Sequence, residues 1–310
     1  MKVLKPALIL LFLTLSAAIC AAQETYLFDV KDGQSLYLDV YRPTEGADTT
    51  FQGHNKPIVM FVFGGGFIQG NRSEKFYLPW YKLLNDDGYT LVSIDYRLGM
   101  KGYKMGKGLA GAYRDCKQFL ASQQMGVEDV FSAVSYLNDN AEELRLNASD
   151  IVLSGSSAGA IISLASEYAI LRGETEGLPE GFNFRGIMSF AGAVISITGA
   201  PDYPAAPCPT LMFHGTADRA VAYDHYGAFG RGLWGSSFIS KQFRKKGYNH
   251  SIYRFTKRTH DVAGYMEAMW EKEKEFLEQD VILGNVRSID MTIDDPSLPT
   301  WGDISIGDIY

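Results

Sequence analysis

The residues best suited to chemistry lie in a short stretch where a serine is framed by glycines. Ser157 stands in the pattern Gly-x-Ser-x-Gly, directly after the apolar run at residues 151–153. This pattern predicts a strand, a tight turn and a helix, with the serine hydroxyl exposed on the turn. Such a serine can attack a carbonyl carbon, and the helix N-terminus behind it favours the negative charge that develops. We therefore predict that Ser157 is a nucleophile, although a five-residue pattern alone also arises by chance.

A second glycine-rich stretch lies upstream of this serine. Residues 58–63 form an apolar run typical of a buried strand, and Gly64, Gly65 and Gly66 follow it. We take this stretch as a second candidate functional loop, because a backbone without side chains can be approached closely by another group. The alternative is a glycine-rich turn without a catalytic role.

Together these two stretches resemble the carboxylesterase/lipase branch of the α/β-hydrolase superfamily, and the resemblance covers about residues 25–280. The glycine loop of that family usually reads His-Gly-Gly-Gly-Phe, whereas Phe63 stands here in place of the histidine. The resemblance implies an oxyanion hole made by the backbone amides of Gly65, Gly66 and Ala158. The hole uses main-chain donors, so the replacement at position 63 affects the bracing of the loop rather than the donors themselves.

The same resemblance implies an acid and then a histidine later in the chain. Asp218 follows a short apolar strand and is the predicted acid, with Asp224 and Asp202 as alternatives. His260 follows the last predicted strand and precedes a helical pattern with an apolar face, which suits a firmly held general base. His214, at the end of the strand before Asp218, is predicted to be structural.

The elements that must position these residues alternate between strands and helices. Two alternating runs at residues 25–30 and 35–41 predict an antiparallel hairpin, and the continuous apolar runs at 57–63 and 89–94 predict strands buried on both faces. Helical spacing of apolar residues appears at 127–137. The sequence therefore predicts an α/β-hydrolase fold: a mostly parallel central sheet with helices on both faces and an N-terminal antiparallel edge hairpin.

The first 22 residues have the features of a signal peptide. Lys2 and Lys5 precede an apolar run at residues 7–15, and small residues follow to Ala22. Because this run is short for a bilayer span, we predict cleavage, a secreted or periplasmic protein and no stable membrane insertion. An uncleaved membrane anchor and a lipid anchor at Cys20 are the alternatives.

Composition excludes several functional classes. The formal charge of −7 and the absence of a basic run disfavour nucleic acid as a partner. After signal removal only Cys116 and Cys208 remain, either as a disulfide or as separate thiols. No His, Cys or carboxylate cluster has metal-ligand spacing, and the predicted chemistry requires no cofactor.

Two stretches have uncertain structure beside the predicted domain at residues 23–280. Residues 98–125 show no clear periodicity and are predicted to be an insertion at the rim of the site. Residues 281–310 form an acidic C-terminal extension with several isoleucines, which predicts either a short strand pair packed on the domain or a flap near the site.

These patterns together predict an exported serine esterase that acts on small-molecule or polysaccharide-linked esters, with short-chain or carbohydrate-linked acyl groups favoured. One alternative is a serine peptidase or amidase of related fold, although the propeller-bearing peptidases need a far longer chain. Another is a catalytically silent, cholinesterase-like binding module, although such modules lose the nucleophile that this chain keeps.

Overall fold

The computed structural model describes residues 23–309, without the side chain of Ile306. The predicted signal peptide at residues 1–22 lies outside this part of the chain. Within residues 23–309, no helix combines the length and apolarity that crossing a lipid bilayer requires.

Fourteen strands are present in the described residues. Their bounds are β1 Gln23–Lys31, β2 Gln34–Tyr41, β3 Thr50–Phe51, β4 His54–Asn55, β5 Ile58–Val62, β6 Leu91–Ile94, β7 Ile151–Ser156, β8 Gly186–Phe190, β9 Ala193–Ser196, β10 Thr210–Gly215, β11 His225–Ala228, β12 Arg231–Gly235, β13 His250–Phe255 and β14 Ser288–Ile293.

Nine of these strands form one sheet in the order β1-β2-β6-β5-β7-β8-β10-β13-β14. The pairs β1–β2 and β2–β6 are antiparallel, whereas every pair from β6 to β14 is parallel. All residues of β5, β7, β8 and β10 are buried, as continuous apolar runs covered on both faces require. The predicted fold class and N-terminal edge hairpin are confirmed.

Seven α-helices connect or cover the strands of the described chain. They are α1 Leu78–Asp86, α2 Gly108–Asp139, α3 Ala141–Leu144, α4 Ala158–Leu171, α5 Ser236–Lys246, α6 Trp270–Glu275 and α7 Ile306–Ile309. Short 3₁₀ turns span His260–Gly264 and Glu267–Met269, and a π-helical stretch, Phe276–Ile282, continues α6.

Helix α2 corrects one expectation. Residues 108–125 were predicted to lie in an irregular insertion, but they form the first half of this 32-residue helix. The side chain of Asp115 fixes this half through polar contacts, because it accepts hydrogen bonds from the Tyr103 hydroxyl (2.8 Å) and the Gly106 amide (3.0 Å). The first half of α2 shows no apolar periodicity because hydrogen bonds to Asp115, rather than an apolar face, stabilise it.

The segment after residue 280 adds one strand to the main sheet rather than a strand pair. Strand β14 runs parallel to β13, and the Asp290 carboxylate on it pairs with Arg254 and Arg244. Cys116 and Cys208 are separate thiols, and the backbone amide of Cys208 donates to the buried Glu167 carboxylate.

Candidate active site

The turn between β7 and α4 holds Ser157 in a strained backbone conformation. Its φ of 51° and ψ of −115° are unusual for a residue with a side chain, and the turn holds the hydroxyl above the end of the sheet. Gly159 allows this geometry because a Cβ atom there would lie 2.0 Å from the Val62 carbonyl oxygen. The neighbouring Ser156 points elsewhere and donates its hydroxyl to the Ala263 carbonyl at 2.8 Å.

Three predicted residues meet at the carboxyl edge of the sheet. His260 Nε2 lies 2.8 Å from Ser157 Oγ, and His260 Nδ1 lies 2.8 Å from Asp218 Oδ2. Parallel strands end at the same edge, so the loops after β7, β10 and β13 bring together residues that are far apart in sequence. This is the geometry in which an imidazole can take a proton from a serine while a carboxylate orients its other nitrogen.

The Asp218 carboxylate is buried and fully engaged. Its Oδ1 accepts the amides of Ala220 and Val221, each at 2.9 Å. Burial acts to raise the pKa of Asp218, but hydrogen bonds from His214 and His260 outweigh burial and hold that pKa well below the ordinary range of a carboxyl. Asp218 is therefore ionised at neutral pH.

The two alternative acids lie away from His260. Asp224 pairs with Lys241 at 2.6 Å on the surface, and Asp202 pairs with the Lys246 ammonium. Neither carboxylate accepts a hydrogen bond from an imidazole among the described residues.

His214 has a role at the site that the sequence did not reveal. This fully buried imidazole has Nε2 at 3.1 Å from the Val221 carbonyl and 3.3 Å from Asp218 Oδ2, and Nδ1 at 2.9 Å from the Ser236 hydroxyl. Both oxygens near Nε2 are acceptors, so Nε2 carries the proton. His214 is structural, as expected, but it also braces the acid; no local motif signals this contact.

The glycine loop after β5 forms a tight turn beside the nucleophile. Gly65 has φ +110°, and a Cβ there would lie 2.0 Å from the Gln69 carbonyl oxygen, so only glycine fits. Gly66 and Ala158 line a cavity next to Ser157, whereas Gly65 does not line it. Ala158 begins α4, where first-turn amides have no partner within the helix.

Phe63 supports this loop from beneath. Its ring is 2% exposed and packs on the Tyr96 ring with centroids 4.5 Å apart. The Tyr96 hydroxyl donates to the Phe63 carbonyl at 3.2 Å. Phe63 stands where a histidine was expected, and its side chain braces the loop by packing rather than by a polar contact.

The cavity at Ser157 is small and mostly apolar, with a volume of about 30 Å³. Besides the loop and elbow residues, it is lined by side chains from distant elements, among them Phe119 of α2, Leu233 of β12 and Ile309 of α7. The sequence did not predict these three wall residues, because no motif marks them. In the part of the chain that the structure describes, no three His, Cys, Asp or Glu side chains are grouped to hold a metal ion.

Comparison with known proteins connects these features to esterases. Residues 38–183 match the model of BD-FAE, an esterase family of the α/β-hydrolase type. Over 160 residues the chain is 32% identical to the non-reducing polyketide synthase ausA of Penicillium brasilianum, covering 52% of this chain but 6% of the synthase. Over 104 residues it is 29% identical to the probable N-octanoylanthranilate hydrolase AqdA2 of Rhodococcus erythropolis, covering 34% of this chain and 20% of that protein. The chain thus spans a small part of the length of these relatives.

The fold has solved counterparts. The esterase Est2 of the Planctomycetes species Thermogutta terrifontis superposes with a TM-score of 0.57 at 19% identity, over 83% of this chain and 94% of Est2. The described chain therefore has the α/β-hydrolase fold, and over residues 38–183 it is similar to the BD-FAE esterases of that fold.

Proposed function

We propose that this protein is a serine esterase that hydrolyses carboxylic esters with Ser157, His260 and Asp218. One observation carries the proposal: the continuous contact from the Ser157 hydroxyl through His260 to Asp218, with both distances at 2.8 Å. The matches to esterases support the same reaction class.

The first half of the reaction acylates the serine. His260 Nε2 takes the hydroxyl proton as Ser157 Oγ bonds to the ester carbonyl carbon, and the carbonyl electron pair moves onto its oxygen. The backbone amides of the Gly65–Gly66 turn and of Ala158 stabilise this oxyanion. The intermediate then expels the alcohol, which takes the proton from His260, and leaves an acyl group on Ser157.

The second half returns the enzyme to its starting state. His260 removes a proton from water, the hydroxide bonds to the acyl carbon, and the C–O bond to Ser157 breaks as the serine regains the proton. The carboxylic acid leaves. Asp218, ionised throughout, holds the imidazole in the required tautomer and stabilises its protonated form.

We propose that the substrate is an ester of a short acyl group with a small-molecule or carbohydrate alcohol. The small cavity at Ser157 supports a short acyl chain. Est2 has been solved with propionate bound, which also favours a short acyl chain. We further propose that the protein is exported, because of the pattern in residues 1–22.

Amide hydrolysis is a second candidate activity. The match to a probable N-octanoylanthranilate hydrolase favours it, since its name describes cleavage of an N-acyl bond. A panel of p-nitrophenyl esters and one acyl anilide, run with equal enzyme, compares the two activities directly.

The decisive experiment compares two adjacent serines. Ser157→Ala is expected to abolish hydrolysis of p-nitrophenyl acetate and covalent labelling by a fluorophosphonate, with the thermal melt unchanged. Ser156→Ala, the matched control, removes a hydroxyl that bonds the Ala263 carbonyl and should keep both readouts. Strong hydrolysis by Ser157→Ala would refute the proposed nucleophile.

A further inference from the structure

The segment Pro299–Ile309, called here the closing segment, runs along the two loops that carry the acid and the base. The Tyr265 hydroxyl donates to the Pro299 carbonyl at 2.7 Å, and the Trp301 amide donates to Asp261 Oδ1 at 2.7 Å. Asp261 is the neighbour of His260 in the chain. The closing segment is thus attached next to the proposed base.

A second attachment lies beside the proposed acid. Arg219, the neighbour of Asp218, pairs with Asp303 at 3.3 Å and forms a parallel backbone bridge with Ser305. The Trp301 ring also packs against the rings of Phe76 and Tyr265, each with centroids 5.7 Å apart. These contacts hold the closing segment across the carboxyl edge of the sheet.

The last described residue of the closing segment lines the cavity beside the nucleophile. Ile309 is half-buried and lines the same cavity as Ser157, Ala158 and Gly66. Phe119 and Leu233 line the same cavity. Ile309 therefore contributes an apolar wall to the space nearest the Ser157 hydroxyl.

The volume of that space decides which acyl group fits. One water-sized sphere needs about 10–15 Å³ of such volume, so a cavity of about 30 Å³ holds roughly two. The methyl of an acetyl group fits this space, whereas a butyryl or longer chain requires a wall to move. Gly66 and Ala158 have little or no side chain to shorten, whereas Ile309 carries a branched apolar side chain.

We infer that the closing segment completes the acyl pocket and that Ile309 sets the upper limit on acyl length. This inference rests on the proposed function, because it assigns the cavity beside Ser157 to the acyl group. A β-branched side chain supplies a stiff wall at this position. Shortening it should admit the methylenes that the present pocket excludes.

The test measures kcat/KM of the full chain for p-nitrophenyl acetate, butyrate and octanoate. For Ile309→Ala we expect the ratio of butyrate to acetate to rise about tenfold or more, since one methylene in an apolar pocket changes kcat/KM by ~10- to 200-fold. Ile309→Val should give an intermediate ratio. Ile304→Ala, a control on the same segment whose side chain is exposed and outside the cavity lining, should leave the ratio at its wild-type value.

Two results would overturn the inference. An unchanged ratio in Ile309→Ala would show that this side chain does not limit the acyl group. An equal increase for all three esters would show that the segment obstructs entry rather than shaping the pocket. Hydrolysis of the acetate ester by the wild type, abolished in Ser157→Ala, tests the proposed function separately. A failure of the esterase proposal can therefore be distinguished from a failure of the inference about Ile309.

Discussion

At the scale of single residues, Asp218 is placed between two imidazoles with different tasks. Its Oδ2 contacts the largely buried His260 at 2.8 Å and the fully buried His214 at 3.3 Å, while its Oδ1 is held by two backbone amides. Every lone-pair direction of the carboxylate is therefore used. A group held in this way can orient an imidazole without moving itself.

The first prediction at this scale concerns Asp218→Asn. An amide at this position presents a donor to His260 and favours the wrong tautomer, so kcat for p-nitrophenyl acetate should fall by about 10⁴-fold while KM changes little. Steady-state kinetics beside a thermal melt make the measurement. Asp224→Asn, which removes a carboxylate paired with the exposed Lys241, is the control and should keep kcat. A near-normal kcat for Asp218→Asn would remove this residue from the proposed triad.

At the scale of elements, the loop after β5 is braced by an aromatic pair. The Phe63 ring lies on Tyr96, and a Cβ at Gly70 would meet the same ring at 2.6 Å. The chain therefore closes tightly around this side chain. Packing of the loop, rather than a polar side chain at position 63, fixes its amides.

A prediction for this loop follows from the packing. Phe63→His keeps a flat ring at the position, and kcat/KM should stay within about tenfold of the wild-type value. Phe63→Ala leaves a cavity, and the free energy of unfolding should fall by about 3–5 kcal/mol. Activity assays and chemical denaturation measure the two effects. A folded but inactive Phe63→His would mean that the phenyl ring itself is needed to shape the oxyanion site.

The elements also show why sequence reasoning succeeded where it did. The elbow is a local motif: the glycines around Ser157 and the strand before it are neighbours in the chain, so their spacing predicted the turn once the second glycine stretch supported it. Strands β5 and β7 were predictable because burial on both faces leaves a continuous apolar run.

What sequence reasoning missed depends on long-range packing. Phe119, Leu233 and Ile309 come from three distant elements, and only the fold brings them to one cavity. The contact of His214 with Asp218 depends on a side-chain direction that spacing does not encode. The first half of α2 was missed because hydrogen bonds to Asp115 replace an apolar stripe.

At the scale of the whole molecule, one buried carboxyl joins the C-terminal helices to the core. Glu273 on α6 is fully buried and accepts the Trp80 indole N–H from α1 at 2.7 Å, while its other oxygen has no hydrogen-bond partner in the described structure. Burial raises the pKa of Glu273 well above its usual range, and the Trp80 hydrogen bond offsets only part of that shift. The folded protein therefore holds this carboxyl protonated where the unfolded chain releases the proton.

The raised pKa of Glu273 makes the folded state less stable as pH rises. Above an unfolded pKa of about 4.3, the unfolded chain gains free energy by ionising Glu273, so the stability of the folded state decreases as pH rises toward the folded pKa. Glu273→Gln cannot ionise and its carbonyl can accept the Trp80 N–H. We expect its Tm to exceed that of wild type, by more at pH 8 than at pH 5.

Thermal melts across this pH range measure the difference. Glu271→Gln, an exposed substitution on the same helix, is the matched control and should give a small difference without this pH trend. A Tm difference for Glu273→Gln that is independent of pH would contradict a protonated Glu273 in the folded protein.

The direction of β14 determines at which edge of the sheet the following residues begin. Because this six-residue edge strand runs alongside β13 in the same sense, it delivers residue 294 to the edge where Ser157 and His260 stand. The opposite direction would have delivered it about 20 Å away, at the other edge of the sheet. Residues added after the closing segment, such as an affinity tag, would thus follow Ile309, which lines the cavity. A recombinant form with the tag in place of residues 1–22 would carry it before Gln23, at the opposite edge of the sheet, and would report the substrate range without that interference.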